Sequence, residues 1–218
     1  MFDFTAVVPS IPYILKGIGI TVQIVLGATI IGLFLGILLA LCKIGKITVL
    51  RLFADFYTSI FRGTPLVLQL LIIFYAFPQM FEINIEPMPA AIIAFGLNSG
   101  AYISEIIRGG INAVDKGQME ASLALGIPYG KMMKDIILPQ AMKNILPALM
   151  NEFITLNKES AIVTVIGALD IMRRAYIVAG DTYRYLESLM IAGVIYYIMT
   201  LILTFLGKML EKRMSRSD

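Results

Sequence analysis

The chain has 218 residues, of which 58% are hydrophobic and 15% charged, with a net charge of +3. A soluble domain lies nearer half apolar and a quarter charged, so this is the composition of a chain built for lipid, and so small a net charge argues against a nucleic-acid partner. The lone Cys42 excludes an internal disulfide, and the absence of histidine excludes a Cys/His metal site.

The N-terminal stretch MFDFTAVVPSIPYILKG carries Asp3 and no early Lys or Arg, so it lacks the cationic region of a cleaved signal peptide. Four charge-free runs follow in chain order: 26 residues between Lys16 and Lys43, 19 between Arg62 and Glu82, 18 between Glu86 and Glu105, and 20 between Glu187 and Lys208. About 20 apolar residues in a helix cover the ~30 Å hydrocarbon core. A fifth span is expected over roughly 144–167, although it carries Glu152, Lys158 and Glu159. The expected fold is therefore an all-α integral membrane protein with five transmembrane helices, forming one domain over residues 1–218. No internal repeat, low-complexity tract or linker interrupts it. Gly32/Gly36 and Gly96/Gly100 have the small-xxx-small spacing of ordinary helix packing.

Lys and Arg orient the chain. With the N-terminus outside, thirteen fall on the cytoplasmic side (Lys43, Lys46, Arg51 and Arg62; Arg108, Lys116, Lys131, Lys134 and Lys143; Lys208, Lys212, Arg213 and Arg216). Four fall outside (Lys16, Arg173, Arg174 and Arg184), and Lys158 lies within a span. The expected topology is N-out, C-in, with a cytoplasmic insert at about 115–139 between helices 3 and 4.

That insert is not written for lipid. Residues 118–125 are good helix formers with an apolar side at Met119, Ala121, Leu123 and Leu125; Gly126 can take the positive φ that ends a helix, and Pro128 suits the first turn of the next. The second helix sets Met132 and Ile136 opposite Lys131, Lys134 and Asp135. Helix, corner, helix is the expectation, and three roles fit it: a pair lying on the membrane surface, a loop packed on the protein's own cytoplasmic ends, or a rigid corner docked in a partner's groove.

The spelling EASLALGIPYGKMMKDIILP closely resembles the EAA signature, EAA-x3-G-x9-I-x-L-P, of the membrane subunits of type I ABC importers; Ser122 replaces the usual third-position Ala. RGTPLVLQL (62–70), NSGAYISEIIRGGI (98–111), VDKGQMEA (114–121), LPQAMKNILPALMNEFITL (138–156) and KESAIVTVIG (158–167) look like the polar amino acid permeases of that class, with Ile162 where Leu is usual. The resemblance implies that Glu120, Ala121, Gly126 and Pro128 belong to coupling helices inserted into a groove on a cytoplasmic ABC ATPase. It also implies a second permease subunit, identical or related, an extracytoplasmic substrate-binding protein, and a multi-pass place in the cell membrane of a prokaryote.

No G-x4-G-K-[ST] occurs: the Gly-Lys pairs at 45–46, 130–131 and 207–208 are followed by Ile, Met and Met. The chain is therefore not expected to be an enzyme or to hold a cofactor; ATP and Mg²⁺ belong on the partner ATPase. TVIG at 164–167 is similar to a potassium-filter sequence but ends a span and lacks the re-entrant loop a filter needs.

Charges at mid-bilayer cost ~2.5–3.5 kcal/mol each even on a lenient scale, so those of the fifth run cannot face lipid. At 100° per residue, Asn144, Asn151, Glu152, Thr155, Lys158 and Glu159 fall within about 120° of one another. Asn98, Tyr102 and Glu105, at i, i+4 and i+7, form a second seam. These groups either satisfy one another, Lys158 with Glu105 or Glu159, or line a substrate path with Gln69 as a further member. An amino acid's carboxylate would meet Lys158 or helix-terminal N–H groups, and its ammonium or a basic side chain would meet Glu105, Glu152 or Glu159. Three acids to one Lys lean toward arginine, lysine or histidine. The outer stretch 167–185, with Asp170, Arg173 and Arg174, is expected to receive the binding protein. Two other classes remain open at this point: an ion-gradient-driven secondary transporter, which would call for inverted repeats, and a non-transporting membrane adaptor, which would need no intramembrane charge.

Overall fold

The structure, a computed structural model, describes the backbone of residues 3–214. Arg216, counted above on the cytoplasmic side, lies outside the described residues, as does the side chain of Arg213. A 3-10 turn (Val8–Ser10) leads into α1 (Ile11–Leu15) and the long α2 (Gly17–Ile44). Then come α3 (Thr48–Gly63), α4 (Leu66–Leu71), a π-helical turn (Ile72–Ala76), α5 (Phe77–Phe81) and α6 (Pro87–Asn112). The insert forms α7 (Lys116–Ala124) and α8 (Tyr129–Met132), which runs through a second π turn (Met133–Ile137) into α9 (Leu138–Glu159). A 3-10 segment (Ser160–Ile166), α10 (Ile171–Thr182) and α11 (Tyr185–Met214) complete the described chain.

Three stretches are long and apolar enough to cross a membrane: Val8–Ile44, Pro87–Asn112 and Tyr185–Lys212. Thr48–Gly63 with Leu66–Phe81 makes a fourth if the two count as one span, bent by 102°. The run expected at 144–167 is not one continuous α-helix, since α9 stops at Glu159 and the chain tightens to 3-10 geometry through Ile166. Its charges, amides and prolines together keep α9 out of the apolar set.

The frame is the α2–α6 pair. Two Gly-xxx-Gly faces meet across it: a Cβ built on Gly36 would stand 2.5 Å from Ile103 Cγ2, and one on Gly96 would stand 2.7 Å from Ile31 Cβ. Gly32 sits against Ser99, and Gly100 against Leu35. Lipid tails are as apolar as Leu, so helices associate in membranes through close van der Waals contact, and glycine allows it. The buried core grows from this seam, with Ile24, Val25 and Ala28 of α2 packed on Ala91, Ala94 and Phe95 of α6. α9 joins where Gly110 meets Ile145, a contact that would bring a Cβ at 110 to 2.3 Å from Ile145 Cγ1.

The 102° elbow between α3 and α4 has a chemical cause. Pro65 has no N–H to continue the ladder, and the last carbonyls of α3 lose their partners. Side chains replace them: the Thr64 hydroxyl donates to Ile60 O at 2.8 Å, and Gln69 Nε2 donates to Phe61 O at 2.9 Å and to Thr64 O at 3.1 Å. Asn98 Nδ2, from α6, also donates to Phe61 O (2.9 Å) and to Gln69 Oε1 (3.0 Å). The carbonyls of Phe61 and Thr64, partly buried here, would otherwise be left without partners.

A second core forms at the other end, where Val7 and Ile14 pack with Ile171, Ala175 and Val178 of α10 and with Ala192 and Ile195 of α11. Asp170 caps α10, accepting from Arg173 N at 2.8 Å and from the Tyr196 hydroxyl at 2.9 Å. Burial raises its carboxyl above the ordinary aspartate range despite these donors.

The glycine seam makes a paired expectation. Gly36→Ala should cost about 1–3 kcal/mol through overpacking, whereas Gly19→Ala, with open space around its Cβ, should leave thermal stability in detergent equal or slightly raised. Equal melting temperatures for the two variants would contradict the close α2–α6 contact.

Candidate functional site

The two polar seams read from the sequence do not face each other. The seam of α6 is taken up by α2 and α3. Asn98 and Gln69 are buried and hold the elbow, as above. Tyr102 is exposed on one side and carries the Arg62 guanidinium 5.3 Å from its ring centre. Glu105 is a hub: Oε1 accepts from Lys43 Nζ, and Oε2 accepts from Arg108 at 2.7 and 3.1 Å and lies 3.8 Å from Arg62. In place of the Lys158 pairing that the sequence allowed, cations from the ends of α2, α3 and α6 meet this carboxylate. Counted along α6, Glu105 lies only about 10 Å from the helix's last residue, near the end that leads into the insert.

The seam of α9 is open. Asn144, Asn151 and Lys158 are exposed, and Glu152, Thr155 and Glu159 are half-buried, while Ala141, Ile145, Leu156 and Asn157 form the face packed inward. Asn144, Asn151 and Lys158 therefore point away from this chain's own core, while Glu152, on the edge of the stripe, turns toward α6. The link between α6 and α9 comes from Ser99, which sequence reasoning did not single out; its hydroxyl donates to Glu152 Oε1 at 3.0 Å. Both residues line a cavity of about 170 Å³ with Thr29, Leu33, Leu149 and Phe153. Ser99 is the thirteenth of the 26 residues of α6, so this carboxylate sits at mid-length of that helix. The arrangement offers an acidic group beside a hydroxyl, walled by apolar side chains. Asn157 was also missed; it is buried on the opposite side of α9 from the polar stripe.

The insert forms the expected helix, corner and helix. Asp115 caps α7 by accepting from Gly117 N at 2.6 Å. Gly126 takes φ +70°, and the bonds Gly126 N→Leu123 O and Ile127 N→Ser122 O, both 3.0 Å, close the C-terminus of α7. Pro128 stands one residue earlier than expected, as the N-cap of α8 rather than within its first turn. Ser122 is buried and donates to Gln118 O at 2.6 Å, so the hydroxyl that replaces alanine in the signature is satisfied within its own helix. Glu120 and Ala121 are exposed. The π turn shifts the register of the second helix, so that Met132 and Ile137 are buried rather than Met132 and Ile136. The corner presents Leu125, 79% exposed, with Leu123 and Tyr129 beside it.

At the opposite end, Asp170 is fully buried and Arg174 donates to Leu169 O at 3.0 Å while stacking over Tyr13. Of the three charges assigned there to docking, Arg173 is the exposed one.

A family model described as the inner membrane component of binding-protein-dependent transport systems matches residues 32–216. The chain is 60% identical over 216 residues to the arginine transport system permease protein ArtQ of Bacillus subtilis (strain 168), covering 99% of each. It is 53% identical over 206 residues, 94% of each, to the putative glutamine transport system permease protein GlnP of Rickettsia typhi. A crystal structure described as an amino acid ABC transporter with histidines matches with a TM-score of 0.93 at 44% identity, over 98% of this chain and 99% of that one. The inward-facing MetNI methionine ABC transporter shares the fold at 21% identity and a TM-score of 0.71. The chain belongs to the family of binding-protein-dependent transport system inner membrane components, as a type I ABC importer permease subunit for amino acids.

Proposed function

We propose that this permease subunit carries cationic amino acids, arginine foremost, inward across the cell membrane of a prokaryote, driven by ATP hydrolysis on separate cytoplasmic subunits. The observation that carries the substrate class is Glu152, a carboxylate beside Ser99 in a cavity at mid-length of α6. Where water is scarce, a fixed negative charge favours a positive side chain far more than it does in solution. The 60% identity to a permease named for arginine supports the same class. The relatives named for glutamine, at 53%, favour a second reading, in which Glu152 and Ser99 hydrogen-bond a neutral amide side chain. Thr155, Lys158 and Glu159 extend the path along the open face of α9, and Lys158 is the group offered to the substrate carboxylate. Asn98, Tyr102, Glu105 and Gln69 serve it from behind, by fixing the elbow and the end of α6.

The chain crosses five times, through α2, the bent pair of α3 with α4 and α5, α6, α9 and α11, with its N-terminus outside and C-terminus inside. The thirteen-to-four division of Lys and Arg supports this orientation. α9 is the span that hydropathy alone leaves out; an inward apolar face and an outward polar one suit a helix that borders a path closed by a second permease subunit. A binding protein delivers substrate at the α10 end. ATPase subunits, holding ATP and Mg²⁺, receive the corner formed by Glu120, Ala121, Gly126 and Pro128, with Leu125 as its apolar tip. Closure of the ATPases draws the corners together and turns the paired bundle from inward- to outward-facing. This chain performs no bond chemistry.

Two measurements follow. Glu152→Gln should lower arginine uptake by about tenfold or more, the scale of one lost charge-assisted contact, while leaving glutamine uptake far less affected; equal loss for both would favour the neutral-substrate reading. Leu125→Asp should abolish co-purification with the ATPase and ATP-driven uptake together without lowering thermal stability, because the side chain is 79% exposed. Retained ATPase binding would remove the corner from the coupling role.

A further inference from the structure

We propose that Lys43 is a permanent pin that joins α2, α3 and α6 into one rigid body, so that the transport cycle moves α9 and the coupling corner against this body rather than opening it. The inference rests on the transport reading above. The Lys43 side chain is only 4% exposed, and its ammonium has three protons and three acceptors: Asp55 Oδ1 at 3.1 Å, Thr58 Oγ1 at 2.7 Å and Glu105 Oε1. Thr58 and Asp55 lie on α3 and Glu105 on α6, so one atom from the last turn of α2 ties three helices. The Thr58 hydroxyl spends its own proton on Ala54 O at 3.0 Å, which leaves its lone pair for the lysine. Tyr57 adds a second tie, donating to Leu97 O of α6 at 2.8 Å.

Opening this joint in each cycle would separate a buried ammonium from Glu105, whose side chain is only 18% exposed, the costly way to break a buried pair, while Asp55, 55% exposed, holds the same ammonium from the rim. The contrast lies next to it: Arg62 is 3.8 Å from Glu105 and 44% exposed, a rim contact that can part at little cost. On the other side of α6, α9 is met by the Ser99–Glu152 hydrogen bond and by the apolar Gly110–Ile145 contact. Buried ions thus tie α6 to α2 and α3, whereas α9 is held to it by packing and that hydrogen bond.

The test is a pair of distances measured by pulsed electron paramagnetic resonance in a Cys42→Ser background, in the assembled transporter, without nucleotide and trapped with ATP. Labels at Leu41→Cys and Ser59→Cys, both exposed, report α2 against α3; labels at Ser59→Cys and Asn144→Cys report α3 against α9. The first distance should be the same in both states and the second should change. A change in the first would overturn the pin. As a second test, Lys43→Met should lower ATP-driven arginine uptake by about tenfold or more, and Lys43→Arg, which keeps the charge, should restore much of it. Undiminished uptake by Lys43→Met, with the distances unchanged, would show that the ion cluster is not what holds the body together. Absence of ATP-driven uptake by the parent chain would instead defeat the transport reading itself, so the two failures are distinguishable.

Discussion

Gly32, Gly36, Gly96 and Gly100 let the backbones of α2 and α6 approach to a distance at which a single added Cβ would collide, and the other elements are mounted on that pair. In a bilayer there is no water to drive helices together, so the attraction must come from contact at close range. α9 leans on the far end of α6 through the Gly110–Ile145 contact. α10 is set against the start of α2, where Gly17 lies under the backbone of Asp170 and Ile171. The candidate site inherits its position from this arrangement, since Ser99, which meets Glu152, lies against Gly32 in the same seam.

A second constraint explains which polar groups the fold itself uses. Backbone and charge within the membrane must find partners inside the protein. The elbow at Pro65 consumes the amides of Gln69 and Asn98, and the ends of α2, α3 and α6 consume Glu105. On α9, Asn144, Asn151 and Lys158 are left exposed by the chain's own core. The use of Gln69 and Asn98 for structure thus follows from where the backbone breaks, at Pro65.

Much of the frame was legible in the sequence. Long charge-free runs announced α2, α6 and α11, the glycine pairs read as ordinary helix packing turned out to form the α2–α6 contact, and Gly126 took the positive φ that its place after an amphipathic helix implied. The misses have physical reasons. α3 and α10 were read as connecting segments because their charges interrupt the apolar runs, although each is an ordinary helix of 16 and 12 residues. The role of Lys43 was hidden because its three acceptors lie 12 to 62 positions away, on elements whose approach no local pattern encodes. Asn98 and Glu105 share a helical face, as their spacing required, yet that face turns to α3 rather than to α9. Helical periodicity fixes which residues share a side; the packing partner of that side is a tertiary matter. The π turns were likewise invisible, and the one at Met133–Ile137 moved the buried position from Ile136 to Ile137.

On the proposed transport reading, this chain is a path moved by a partner's ATP. The direct test is uptake of labelled arginine by proteoliposomes that contain the chain with its ATPase and binding protein, compared with and without ATP on the ATPase side and with and without an imposed ion gradient. Accumulation that requires ATP and ignores the gradient is the predicted result. Accumulation that follows the gradient and proceeds without ATP would contradict it.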